Sequence, residues 1–215
     1  MAYTGDVERG GPAASRTLGP MTMRKVSVGR MDNNAYLLTC GGSQLLIDAA
    51  ADAPTLLSLV GPTGLEAVVT THRHPDHWQA LADVVATTGA ESLAHSDDAV
   101  EIPVVTHTLA DGDHITVGEC SLEVIHLVGH TPGSIALLYQ EPDGIAHLWT
   151  GDSLFPGGVG NTHKDPAAFR SLINDVSVKL FDRLPDDTWF YPGHGKDSTL
   201  GAERPHLAEW RDRGW

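Results

Sequence analysis

The chain has 215 residues, enough for one large domain. Fourteen basic residues against 28 acidic ones leave a formal charge of −14, which repels nucleic-acid phosphates and anionic lipid and argues against either as a partner. No stretch reaches the roughly 20 apolar residues of a membrane helix, and Met1–Leu18 lacks the apolar run of a signal peptide. A cytoplasmic protein acting on a small molecule, as a monomer or homodimer, is expected. Cys40 and Cys120 form no Cys-x-x-Cys pair and are read as two separate thiols, with a single disulfide as the alternative.

Residues 1–20, rich in Gly, Ala and Pro, read as a mobile leader whose first 18 residues are dispensable for activity. Residues 21–215 read as a single domain. A strand is predicted over Met23–Val28, then a hairpin of Asn34–Thr39 and Gln44–Asp48 about Gly41-Gly42. A short helix follows at Ala53–Leu59, and a buried strand at Leu65–Thr71. Leu81, Val84 and Val85 recur at helical spacing within a helix from about Trp78 to Thr88. Glu91–His95 is a weak strand before a loop holding Asp97 and Asp98. Strands are predicted at Thr106–Leu109, His114–Val117, Leu122–Leu127, Ile135–Tyr139, Ala146–Trp149 and Trp189–Tyr191, with helices at Phe169–Phe181 and Leu200–Arg211. Strands in runs, separated by single helices, lack the even rhythm of a doubly wound sheet. Neither a P-loop nor a dinucleotide-binding glycine fingerprint is present.

The chemistry concentrates in His72-Arg73-His74-Pro75-Asp76-His77. Three histidines and an aspartate at the end of an apolar strand are costly to bury without a cation. In extended backbone His72 and His74 face the same way. Pro75 turns the chain, so that Asp76 and His77 reach a second, nearby position. His130 (Gly129-His130-Thr131-Pro132-Gly133-Ser134) is, alone, equally a ligand or an ordinary loop histidine. Asp152 (Thr150-Gly151-Asp152-Ser153) fits a bridging carboxylate or a helix cap. His194 lies in Pro192-Gly193-His194-Gly195, where glycines permit close approach and positive φ. Each follows an apolar strand.

In HRHPDH, GHTPGS, TGDSLF and PGHG, taken in that order from about Asn33 to Leu200, the sequence resembles the metallo-β-lactamase superfamily. The resemblance implies an α/β fold, a four-layer αββα sandwich with the metals at one edge. It implies His72, His74 and His130 on a first metal, Asp76, His77 and His194 on a second, and Asp152 bridging. It also implies that Asp48 lies behind the ligands as a supporting acid, and that Asn33 and Asn34 flank the pocket, with Asn34 among the substrate-binding residues.

Imidazole and carboxylate ligands without thiolate suit two divalent ions, Zn²⁺ first, with Fe²⁺ or Mn²⁺ as alternatives. Water activated there would attack a thioester, ester or lactone carbonyl, with Asp76 and Asp152 as catalytic residues. Within the superfamily, GDSLFPGGVGNT and PGHGKDSTLGAE resemble small glyoxalase II-like hydrolases. About twenty residues follow His194, too few for the basic helical domain of full-length glyoxalase II, so a different thiol carrier or thioester is expected. Lys164 is a candidate for a substrate carboxylate or phosphate, or a solvated surface lysine. The rivals are a mononuclear Fe²⁺ persulfide dioxygenase using His72, His130 and Asp152, a lactonase, and a non-enzymatic metal-binding protein.

Overall fold

Neighbouring apolar residues in the strands serve different cores. In the computed structural model, which describes residues 3–214, Leu38, Leu45 and Val69 point into one hydrophobic cluster while Leu37, Leu46 and Val68 point into another. Leu137 and Trp149 join the first cluster, and Leu138 and Leu148 a third. Side chains alternate across a strand. Strands covered on both faces therefore read as unbroken apolar runs.

Two sheets share the middle cluster. The first contains β1 (Ala14–Leu18), β2 (Met21–Val28), β3 (Asn33–Cys40), β4 (Ser43–Ile47), β5 (Ala67–Thr70), β6 (Glu91–His95) and β7 (His107–Leu109), in that spatial order. β1 to β4 are antiparallel, and β4 to β7 are parallel. The second is built from β8 (His114–Val117), β9 (Cys120–His126), β10 (Ile135–Gln140) and β11 (Ala146–Gly151). A small hairpin, β12 (Leu154–Phe155) and β13 (Gly158–Val159), precedes its last strands, β14 (Trp189–Pro192) and β15 (Ser198–Thr199). Its spatial order is β15-β14-β11-β10-β9-β8, with β11 and β14 parallel. Helices α1 (Ala53–Val60) and α2 (Leu81–Thr88) cover the first sheet. α3 (Pro166–Asp175), continued by a wider π turn over Val176–Phe181, covers the second. Beyond the short α4 (Leu200–Glu203), α5 (Leu207–Arg213) packs Trp210 beside it. The layers run helix, sheet, sheet, helix.

Four expectations change. Met1 and Ala2 of the expected leader lie outside the described residues, but Ala14–Leu18 form an edge strand paired along β2, and Leu18 is fully buried. Tyr3 donates its hydroxyl to Asp197 at 2.6 Å, and Lys25 Nζ donates to Gly5 O at 2.8 Å. Polar alternation in Ser-Arg-Thr hid this strand. Cys40 and Cys120 form a disulfide rather than two thiols, joining the ends of β3 and β9 and so the two sheets. The helix expected from Trp78 begins at Leu81, after a 3₁₀ turn at Pro75–His77. The last helix is interrupted at Arg204–His206, where Pro205 supplies no amide hydrogen.

Candidate metal centre

The strand ends carry the chemistry to one edge. β4 delivers Asp48, β5 the loop of His72, His74, Asp76 and His77, β11 delivers Asp152, and β14 His194; His130 comes from the β9–β10 loop. All seven expected ligands meet. His72, His74 and His130 form one group, their ring centroids 4.5–4.8 Å apart and their rings nearly perpendicular. Asp76, His77 and His194 form a second, with His77 Nε2 3.2 Å from His194 Nε2 and Asp76 Oδ2 3.3 Å from the same atom. Asp152 stands between. Its Oδ2 lies 3.6 Å from His130 Nε2 and 3.4 Å from His194 Nε2, and its Oδ1 lies 3.4 Å from His77 Nε2.

Backbone and carboxylate acceptors fix which nitrogen faces inward. The Nδ1–H groups of His77, His130 and His194 donate, each at 2.8 Å, to Asp48 Oδ2, Asn161 O and Met31 O. The Thr71 hydroxyl gives its one hydrogen to Asp48, so its oxygen accepts from His72 Nδ1 at 3.1 Å. All four rings therefore turn Nε2 toward the centre, the arrangement by which outer partners prepare histidine for a metal. Asn33 Nδ2 donates to Asp76 Oδ2 and to Asp76 O, both at 2.9 Å. Gly193 is required by contact, because a Cβ there would sit 2.3 Å from Asp152 Oδ1.

The electrostatics divide the centre. Burial holds His130 down to about 4, and burial with the neighbouring His77 holds His72 well below the ordinary histidine value. Burial also opposes charge on His77, but Asp48 and Asp152 reverse this and push it up to about 10. His194 is likewise pushed up to about 10, with Asp152 and Asp76 overcoming its burial. Burial would raise Asp152, yet the neighbouring His194 and His77 hold it well below the carboxylate range.

The residues fit divalent cations. Two Nε2 pairs face each other at 3.2 and 3.3 Å, close enough for one cation to meet both nitrogens of a pair. Among the described residues, the buried Asp152 Oδ1 has no hydrogen-bond partner. A buried, unpartnered carboxylate oxygen costs free energy unless a cation meets it. Imidazole with carboxylate and no thiolate is a donor set for zinc, iron or manganese.

The sequence profile of the metallo-beta-lactamase superfamily matches residues 28–194. The chain belongs to the metallo-beta-lactamase superfamily. The hydroxyacylglutathione hydrolase of Fuscovulum blasticum is 35% identical over 167 residues, covering 76% of this chain and 62% of that relative. This chain therefore spans less than two thirds of the length of the curated relatives it matches. Among solved structures, TTHA1623 in a di-iron-bound form is 31% identical, with a TM-score of 0.70 over 84% of this chain and 96% of that one. ETHE1 from Myxococcus xanthus is 25% identical, with a TM-score of 0.76 over 88% and 84%. The αββα sandwich of the superfamily is the fold seen here.

Within this superfamily scaffold, the expected place of Asn34 beside substrate is corrected. It is 1% exposed, and its amide donates to Pro192 O and Gly195 O at 2.9 and 3.0 Å, so it holds the His194 loop. Lys164 lines a cavity of about 690 Å³ with Val159, Asn161, Thr162 and Pro166. Trp78 packs against the first sheet's outer core and donates from Nε1 to Arg73 O at 2.8 Å. Sequence reasoning missed Thr71 and Asp98 as supports of the ligand loops, and the carbonyls of Met31 and Asn161. Carbonyl acceptors carry no residue signature. A separate group, His95, Asp97 and His126, stacks its two rings at 3.8 Å and 24°, with His95 Nδ1 accepting from Asp97 N at 3.2 Å and His126 Nε2 donating to Pro132 O at 2.7 Å. No helix among the described residues is long and apolar enough to cross a membrane.

Proposed function

We propose that the protein is a metal-dependent hydrolase with a dinuclear centre that cleaves a thioester or related ester of a small molecule, as glyoxalase II-like enzymes do. The observation that carries this reading is the seven-residue convergence about Asp152, whose carboxylate reaches both histidine groups. His72, His74 and His130 would hold the first ion, Asp76, His77 and His194 the second, and Asp152 would bridge. Bound there, such ions supply a water acidic enough to lose its proton near neutral pH and an electrophile for the developing oxyanion. The chain's own part is placement. Asp76, held by Asn33, presents a carboxylate at the mouth of the centre to orient the attacking water. Asp48 fixes His77 directly and His72 through Thr71.

Similarity to the hydroxyacylglutathione hydrolases supports a thioester substrate. The Lys164 cavity adjoins the centre, because Asn161 both lines it and accepts from His130. In this reading the cavity receives the thiol carrier, and Lys164 meets its carboxylate or phosphate. Zinc is the first assignment, and the di-iron-bound neighbour supports iron as the alternative. Charge of −14 supports a reading without nucleic acid, and the oligomer is taken as monomer or homodimer. The disulfide weighs against the cytoplasmic expectation, since such bonds are rare in reducing compartments.

Elemental analysis of the purified chain with a panel of acyl-thioesters, esters and lactones tests the reading. Two metal equivalents and a preference for thioesters are expected. One iron per chain with O₂ consumption, or no turnover of any panel member by the metal-loaded chain, would overturn it.

A further inference from the structure

Asp98 lies outside the ligand set, in the loop after β6, and is fully buried. Three donors converge on its carboxylate. Oδ2 accepts from Arg73 N at 2.9 Å and from the Thr131 hydroxyl at 2.5 Å, and Oδ1 accepts from Gly133 N at 2.8 Å. Arg73 stands between His72 and His74, and Thr131 follows His130. One carboxylate thus ties the two loops that bring the first group of histidines together.

The surroundings are built for this contact. Thr131 commits its hydroxyl hydrogen to Asp98, so the Ser134 hydroxyl donates to Thr131 Oγ1 at 2.6 Å, and Ser134 Oγ accepts from Thr131 N at 3.2 Å. That short cycle locks the turn after His130. Gly133 must lack a side chain, because a Cβ would lie 2.6 Å from Asp98 N and 2.8 Å from its Cβ and Cγ. Nearest of the cations is the Arg73 guanidinium, 3.9 Å from Oδ1 and also paired with Glu101. The carboxylate is therefore satisfied mainly by two backbone amides and one hydroxyl, each belonging to a ligand loop.

We infer that Asp98 is a positioning residue for the first metal, clamping the His72–His74 loop to the His130 loop. The inference rests on the proposed dinuclear centre. It also divides labour between two buried aspartates. Asp48 acts on both groups, through His77 and through Thr71 to His72, whereas Asp98 acts on the first alone. Asparagine cannot replace it, because an amide nitrogen would face either the Gly133 or the Arg73 N–H, donor against donor.

The test is competition between a chelator and the full-length chain for Zn²⁺, comparing parent, Asp98→Asn, His130→Ala and the double variant. His130→Ala identifies the equivalent bound at the first position. Asp98→Asn is expected to weaken that equivalent about 10- to 100-fold and leave the other at parent affinity. In the double variant it should add no further loss, because both changes act on one position. Should Asp98→Asn not fold, Thr131→Val removes one donor and keeps the carboxylate, and a smaller loss in the same equivalent is expected. Equal weakening of both equivalents, unchanged affinity, or losses that add to those of His130→Ala would overturn the inference and leave the dinuclear reading standing. A parent chain that binds no Zn²⁺ would overturn both.

Discussion

Asp48 Oδ2 accepts a hydrogen bond from His77 Nδ1 at 2.8 Å, and both groups are almost completely buried. The same carboxylate takes the Thr71 amide and hydroxyl, each at 2.8 Å. Asp48 itself adopts a left-handed conformation at φ 59°, a strained placement for a non-glycine residue at the end of β4. One side chain therefore orients a histidine of each candidate metal group, at a backbone cost that only a fixed local structure sustains. Asp48→Asn is expected to lower metal affinity about 10- to 100-fold with the fold retained, as read by chelator competition and circular dichroism.

Metal uptake should release protons. Without metal, His77 and His194 titrate at about 10, far above the ordinary histidine value. A raised folded-state value means that their protons stabilise the metal-free fold fully below about pH 6.5, and that this contribution fades as pH rises toward 10. At pH 8 both rings carry a proton that a cation must displace, so metal affinity rises with pH across that interval. Calorimetry in buffers of differing ionisation enthalpy should show proton release at pH 8 that diminishes toward pH 10.

The Cys40–Cys120 bond closes a segment of 80 residues and links the sheets where both cysteines are nearly inaccessible. Changing both cysteines to serine or alanine should cost about 2–4 kcal/mol of stability, measured by urea unfolding. Thiol titration of the denatured, unreduced chain should find no free thiol.

Lys25 and Asp197 form an ion pair at 2.6 Å with both side chains fully buried. Burial pushes Lys25 down and Asp197 up, and each opposes the shift of the other. Lys25 Nζ also donates to Gly195 O, next to His194, and to Gly5 O. Lys25→Ala should therefore destabilise by about 3–5 kcal/mol, because Asp197 is left buried without its partner. Removing residues 1–18 should lower the melting temperature as well, since it strips the edge strand from β2.

The candidate ligands His72, His74, Asp76 and His77 were legible because HRHPDH compresses four distinctive residue types into six positions at the end of an apolar strand, whereas His130, Asp152 and His194 were assigned through the resemblance to the superfamily. The sheet strands were legible for a related reason: runs such as Leu65–Thr71 are covered on both faces. What escaped was held by less specific signals. The β1 strand carries Ser15, Arg16 and Thr17, whose polarity resembles a loop, and it shows itself only in its hairpin pairing with Arg24 and Met23 of the adjoining β2. Asn34 has the same composition signal whether it faces substrate or clasps the His194 loop, and only burial distinguishes the two. The partnership of Cys40 and Cys120 depends on two sheets packing face to face, a relation that spacing does not encode.

Exhaustive chelation of the purified, active protein is the most direct measurement of the central claim, that seven side chains converge to hold two catalytic cations. Turnover should fall to background as both equivalents leave and return when Zn²⁺ or Fe²⁺ is restored. Full turnover in protein stripped of metal would contradict it.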